Sequence, residues 1–412
     1  MIGKLKARAV TTRFRDWPIV FFLLVMLLSG IILSPQRSFF PIYVEEQLGF
    51  PAVLVSTFVS LGLVLGMIAS VVGGALSDTV GHKGTLVLGL LGITLANLAY
   101  LSRVPGLVLA FWVLGGLGPG FHTLGGMGYL IDAANPRRLG LFSALYNWGY
   151  TLGGALSSPA AGFVLDHQGF AAFGLALLAF SGATVVGAVL LLPRFQRGAG
   201  EQTHSVGATL LGYGQVVRRP SMVLLGLLRF LPTCYYGMIV VLNPLLINRL
   251  AGTKTAVALY VTLSQVVATL AQIVVGRASD RWGSRRPTLA MFGLLLVAIA
   301  GQGVFATQLW SYYTFGVPGI AAAWSLATLL PVLVSESAVV EERGRVLGAL
   351  SVLWNLAMIG GSMLGGALMD VALGLPFAIV GLLNVAAIAL SVSFFRLVDV
   401  QKNRLICAVA SD

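Results

Sequence analysis

Long apolar runs recur along almost the whole chain, and no other feature constrains the fold as strongly. A helix rises about 1.5 Å per residue, so a run of about 20 apolar residues matches the ~30 Å hydrocarbon layer of a bilayer. Such runs stand at 17–44, 54–77, 84–102, 106–131, 140–166 and 170–193, then at 221–248, 255–278, 287–307, 309–335, 345–370 and 374–397. Twelve runs predict an all-α membrane protein with twelve transmembrane helices. Charge supports this reading. Only 10% of the residues are charged and 57% are hydrophobic, whereas a soluble domain carries roughly a quarter of its residues as Asp, Glu, Lys and Arg. The two cysteines, Cys234 and Cys407, offer neither a disulfide framework nor a metal cluster, and no cofactor is expected. The first run is too long for a cleaved leader and lacks a small-residue cleavage site.

The net charge of +12 raises the question of nucleic acid, and its distribution argues against it. Lys and Arg cluster in short segments between apolar runs, with no basic face interleaved with aromatics. With the N-terminus in the cytoplasm, 21 of the 26 Lys and Arg fall on the inner side, as positive-inside orientation demands. Arg103, Arg249 and Lys254 fall outside, while Arg37 and Arg229 lie within spans. Both termini are then cytoplasmic. The short loops and bare termini suggest a bacterial inner membrane.

The chain also repeats itself. Gly62, Gly66, Ser70, Gly74 and Asp78 recur every four residues in the second run, and Ser264, Ala268, Gln272, Gly276 and Asp280 keep that spacing in the eighth. Gly154, Ser158, Gly162 and Asp166 in the fifth run answer Ser362, Gly366 and Asp370 in the eleventh. The duplication divides the chain into two bundles, 1–195 and 220–412, with 196–219 as a polar cytoplasmic linker. Within lipid, small residues allow close helix approach, which serves static packing or a rocking contact equally well. Parallel repeats with substrate held between them are a known transporter plan.

After the second run the chain reads Gly74-Ala-Leu-Ser-Asp78-Thr-Val-Gly81-His82-Lys83, and after the eighth Gly276-Arg-Ala-Ser-Asp280-Arg-Trp-Gly283-Ser-Arg285-Arg286. Both resemble the loop motif of the major facilitator superfamily. Pro159-x-x-Gly162-x-x-x-Asp166-x-x-Gly169 is similar to the family's fifth-helix ending. The resemblance covers essentially the whole chain. It implies two pseudo-symmetric six-helix bundles, a monomer surrounded by lipid, and a gate in which Asp78 faces the start of the eleventh helix near Gly344. The fourth run departs from the pattern: Gly116 and Gly120 stand in place, but Trp112 occupies the position where many proton-coupled antiporters carry Arg.

Ionisable groups inside a membrane are functional candidates by default. No carboxylate falls in the middle of a span; Glu45, Glu46, Asp166 and Asp370 sit at outer ends. Arg37 lies about 30 Å along a helix from Trp17, where it either snorkels outward or, as the resemblance implies, lines the cavity. Arg229, about 13 Å past Pro220, poses the same choice. Arginine pairs well with carboxylate or phosphate, so the two point to an organic anion as substrate. His122, the one histidine in a span, is a candidate carrier of a coupling proton, or else a hydrogen-bonded structural group. Further candidates on helices that line the path in the family are Asn147, Tyr150, Tyr235, Tyr236, Asn243, Gln265, Trp354 and Asn355. Each serves equally well as glue between helices. The chain has no Walker loop, hydrolase elbow or zinc spacing, which leaves neither an ATP-driven pump nor an enzyme in view. The expectation is an alternating-access carrier of a small solute. The competing readings are proton-coupled efflux of amphipathic compounds and, in another class, a non-transporting receptor.

Overall fold

Backbone N–H and C=O groups find no partners in lipid, so each apolar run closes its hydrogen bonds within a helix. The computed structural model describes residues 17–134, 138–195, 219–338 and 342–410. The side chains of Ala75, Asp78, Gly344, Arg345 and residues 401–410 stand outside that description, as do the N-terminal cations and residues 196–218 of the expected linker. The described residues are helical and form no strand. Among the described residues, eleven helices are long and apolar enough to cross a membrane, where twelve were expected.

The difference lies at Gly169. Leu139–Leu191 runs as one helical stretch of 53 residues, broken where Gly169 takes φ 76 and ψ −175. Gly81 breaks Ala52–Asn97 in the same way (φ 75, ψ 165), and Gly283 ends the eighth helix at φ 78 and ψ 166. This region of backbone space is essentially closed to residues with a Cβ, so each glycine forces a sharp corner. The helices are therefore α1 (Trp17–Leu48), α2 (52–80), α3 (82–97), α4 (Pro105–Ala133), α5 (139–168), α6 (170–191), α7 (Pro220–Ala251), α8 (Lys254–Trp282), α9 (Arg285–Val304), α10 (Leu309–Ser337), α11 (Arg343–Met369) and α12 (Leu375–Ala410). A π turn over Tyr312–Gly316 lies near the start of α10.

Glycine sets how closely these helices pack. A Cβ on Gly153 would lie 2.8 Å from the backbone nitrogen of Ile31, which brings α5 against α1. The matching contact in the second half joins α7 to α11, where a Cβ on Gly237 would stand 2.8 Å from Met358 Cα. Close approach of this kind gains dispersion energy where lipid supplies no hydrophobic drive between helices.

Each half also buries an amide network. In the first, Gln36 of α1 donates to Asn97 Oδ1 of α3 at 2.7 Å, and Asn97 donates to Ser181 of α6 at 3.1 Å. In the second, the Tyr235 hydroxyl of α7 donates to Gln302 Oε1 of α9 at 2.7 Å. Gln302 donates to Asn243 at 3.3 Å, and Asn243 to the Tyr260 hydroxyl of α8 at 2.5 Å. These polar atoms are buried, and unmet they would each forfeit about 1–3 kcal/mol.

Candidate functional site

The two ends of the molecule differ in how the halves of the chain meet. One end, the basic face, carries Lys83, Arg219, Arg277, Arg281, Arg285 and Arg286. The other, the distal face, carries Glu45, Glu46 and Asp166. Hydrogen bonds and ion pairs between α1–α6 and α7–α12 cluster at the distal face and in the layer of Ser34 and Gln265.

Several contacts close the distal face. Glu45 pairs with Arg249, and Glu46 with Lys254 at 2.9 Å and with Asn248 at 2.7 Å. The Asp166 carboxylate at the end of α5 accepts from the backbone N–H groups of Lys254 and Thr255 at 2.7 and 2.9 Å, and from the Thr255 hydroxyl at 2.6 Å. It thus caps the N-terminus of α8, whose own preceding residue Thr253 makes no side-chain cap. A carboxylate at that position meets both the unsatisfied donors and the positive end of the helix dipole. Deeper in, Ser60 of α2 bonds Ser362 of α11 at 2.6 Å, Thr262 donates to the Ala155 carbonyl at 3.2 Å, and Gln265 donates to Ser34 at 2.6 Å. Gly366 lies against Ser56 of α2; a Cβ there would stand 2.6 Å from the Ala52 carbonyl oxygen.

Several polar contacts near the basic face join residues of the same half. His82 bonds Asp132 at 2.6 Å, Lys83 donates to the Val189 carbonyl at 2.7 Å and to Leu192, Arg219 pairs with Glu342 at 2.7 Å, and Ser284 donates to Glu336 at 2.7 Å. Arg285 approaches Asp399 to 3.6 Å, Asp280 and Arg286 are exposed, and Arg281 lies over the Trp282 ring at 5.9 Å. Nothing lies within 4 Å of a Cβ built on Gly74 or Gly276. The Asp78 side chain and Gly344, the two ends of the expected latch, lie outside the described residues. The halves thus meet closely at the distal face, while Gly74 and Gly276 near the basic face stand against open space.

Arg37, on α1 just past the layer of Ser34 and Gln265, is half-buried, and no acceptor among the described residues bonds its guanidinium. Its charge acts on both His122 of α4 and Tyr236 of α7. Tyr236 meets Trp324 of α10 with ring centroids 6.1 Å apart, and Tyr150 of α5 stands in the same region. Arg37, His122, Tyr150, Tyr236 and Trp324 thus come from five helices and share one region of the molecule.

Other candidates sit elsewhere. His122 is buried with Nε2 at 3.0 Å from Ser29 Oγ, and that hydroxyl donates to the Val25 carbonyl at 2.8 Å. Its proton already committed, Ser29 accepts from His122, which places the ring proton on Nε2. Tyr235 and Asn243 belong to the buried amide network. Asn147 is exposed and donates to the Ser143 carbonyl at 3.1 Å, and Asn355 donates to Ser351 at 2.9 Å beside a half-buried Trp354. Arg229 lines a separate crevice between α7, α9 and α10. Trp112 stacks flat on Phe40, centroids 3.4 Å apart. Sequence reasoning missed the pairing of Glu45 and Glu46 with Arg249 and Lys254, the capping of α8 by Asp166, and Trp324. The charges at span ends were a signal for the first; the others depend on arrangement in space.

The sequence model of the Major Facilitator Superfamily matches residues 19–251 and again 225–406. The chain belongs to this family. Its members are transporters, and the chain is a membrane transporter of small molecules. Among curated proteins, it is 29% identical over 196 residues to the class H tetracycline resistance protein of Pasteurella multocida, covering 46% of this chain and 47% of that relative. It is 25% identical over 403 residues to the multidrug resistance protein MdtH of Aeromonas hydrophila, with 93% and 96% covered. The MdtH protein of Aeromonas salmonicida is 24% identical over 401 residues, with the same coverage. The first of these alignments spans about half of the relative, the other two nearly all of theirs.

Proposed function

We propose that this transporter works by alternating access and exports an amphipathic organic anion, taking it up at the basic face and releasing it at the distal face. The observation that carries the reading is Arg37: a half-buried guanidinium inside the first span with no acceptor among the described residues, one turn past the Ser34–Gln265 contact and within electrostatic range of Tyr236, whose ring meets Trp324. An unpaired charge in a low-dielectric site strongly favours an anionic partner, and aromatic rings in the same region favour an apolar body attached to it. The relatives named for multidrug and tetracycline resistance support export as the direction. The positive-inside rule puts the basic face and both termini in the cytoplasm. Counting Leu141–Leu191 as two crossings gives twelve spans, in bundles 1–195 and 220–412 joined by 196–219. The chain is a monomer in a bacterial inner membrane.

Purified protein in liposomes tests the reading against a panel of aromatic carboxylates, sugars and cationic drugs. Arg37→Gln removes a charge-assisted pair of about 1.5–3 kcal/mol, and transport of aromatic carboxylates should fall about 10- to 100-fold. Unchanged carboxylate transport in this variant would overturn the anion assignment.

A second reading, proton-coupled efflux of amphipathic compounds with His122 as the proton carrier, draws its efflux part from the relatives named for multidrug and tetracycline resistance. A pH dye trapped in the same liposomes decides it. Proton movement that accompanies substrate and disappears in His122→Gln supports coupling; substrate flux without proton movement sinks it.

A further inference from the structure

The residue before Arg37 is anchored through both its side chain and its backbone. Gln36 is buried on α1, and its amide donates to the Ile93 carbonyl at 3.0 Å and to Asn97 Oδ1 at 2.7 Å, both on α3. Asn97 in turn donates to the Leu177 carbonyl at 3.3 Å and to Ser181 Oγ at 3.1 Å on α6. The hydroxyl of buried Tyr100, in the short 3₁₀ helix Leu98–Leu101, donates to the Gln36 backbone carbonyl. Together these bonds set how α1 is rotated about its own axis.

Successive side chains on a helix point about 100° apart, so the rotation fixed at Gln36 also fixes where Arg37 points. At the roughly 5–6 Å outer radius of a helix, a turn of about 30° shifts a side-chain head by about 3 Å, the whole length of a hydrogen bond. The backbone here is short of restraints of its own. Pro35 and Pro41 flank Arg37, and proline has no N–H, so Pro41 gives no helical bond to the Arg37 carbonyl four residues back. A second polar contact nearby, from Gln265 to Ser34 at 2.6 Å, crosses to the other half and is lost when the halves part there. The Gln36 contacts lie wholly within α1, α3, α6 and the 3₁₀ helix between them, and survive that movement. We infer that Gln36 is a positioning residue for the anion site, holding the Arg37 guanidinium toward Tyr236 and the second half in both the distal-closed and distal-open states. The inference rests on the reading of Arg37 as the group that binds the anion.

The test is a double-mutant cycle on naphthoate transport by the full-length protein in liposomes. Gln36→Met keeps the size of the side chain and removes its donors. It should raise KM about 5- to 30-fold and change kcat less than about twofold. In an Arg37→Gln background the same substitution should add less than about twofold, because Gln36 acts through Arg37. Asn384→Leu removes a buried amide that donates to the Phe292 carbonyl at 3.1 Å in the second half. It should leave KM within about twofold of wild type. If Gln36→Met does not fold, Tyr100→Phe removes only the hydroxyl on the Gln36 carbonyl, and should raise KM about threefold in the same cycle. An equal loss with and without Arg37 would overturn the inference, since mere glue between helices acts additively. An unchanged KM, a fall in kcat alone, or an equal rise in KM from Asn384→Leu would overturn it as well. Naphthoate transport unaffected by Arg37→Gln would sink the anion reading itself, and this inference with it.

Discussion

The distal and basic faces carry the same kind of small-residue stripe, and only one of them is in use. At the distal face Gly366 and Gly162 press against α2 and α8, and Ser60 meets Ser362. At the basic face Gly74 and Gly276, farther along two of the same helices, face open space. A glycine that contacts nothing does no packing in this state. Its small size makes sense if α2 and α8 close against the opposite half in another state, with the distal face open. The same helices would then supply both closures, one at each end, in alternation.

Widening a stripe at each end should push the equilibrium in opposite directions. Overpacking a close contact raises the energy by about 1–3 kcal/mol. Gly366→Leu is therefore expected to depopulate the distal-closed state, read as a longer distance between spin labels at Val53 and Val371. Gly74→Leu is expected to raise the distal-closed fraction by the same readout. Transport should fall at least about tenfold in both. A Gly74→Leu protein with wild-type turnover would break the comparison, because that glycine would then serve neither state. A smaller effect follows from Asp166→Asn, which keeps the shape but removes the charge that faces the α8 N-terminus. Losing it should weaken distal closure by about 1–2 kcal/mol, seen as a broader label distance. Glu45→Gln stands last. Its pair with Arg249 is partly exposed, so about 0.2–1 kcal/mol is at stake, and the difference from wild type should shrink as salt rises.

Much of this arrangement was legible before any coordinates, because period and spacing are local properties. The apolar runs became helices, and the four-residue stripes became the contacts of α2 with α11 and of α5 with α8. Glu45, Glu46 and Asp166 were placed at outer ends, but their partners lie about 90–200 residues away. Which loop faces which follows from how the halves sit together, and no short pattern encodes that. Tyr235 and Asn243 illustrate a second limit. A polar residue in an apolar run signals that something must satisfy it, without saying whether a substrate or another amide does so. Here Gln302 does. Arg37 and Arg229 looked alike in sequence, and their surroundings distinguish them: one lies within reach of charged or aromatic groups from both halves, the other lines a crevice between three helices of the second half.

The corners at Gly81, Gly169 and Gly283 have a mechanical consequence. One residue in an extended, glycine-only conformation joins α2 to α3 and α5 to α6, and Gly283 with Ser284 does the same for α8 and α9. Such a joint has no slack to absorb displacement. Any tilt of α2, α5 or α8 at the faces must carry α3, α6 or α9 with it, so each pair travels as one stiff lever. The outer helices then act as handles through which thickness or tension in the surrounding bilayer can bear on the balance between states.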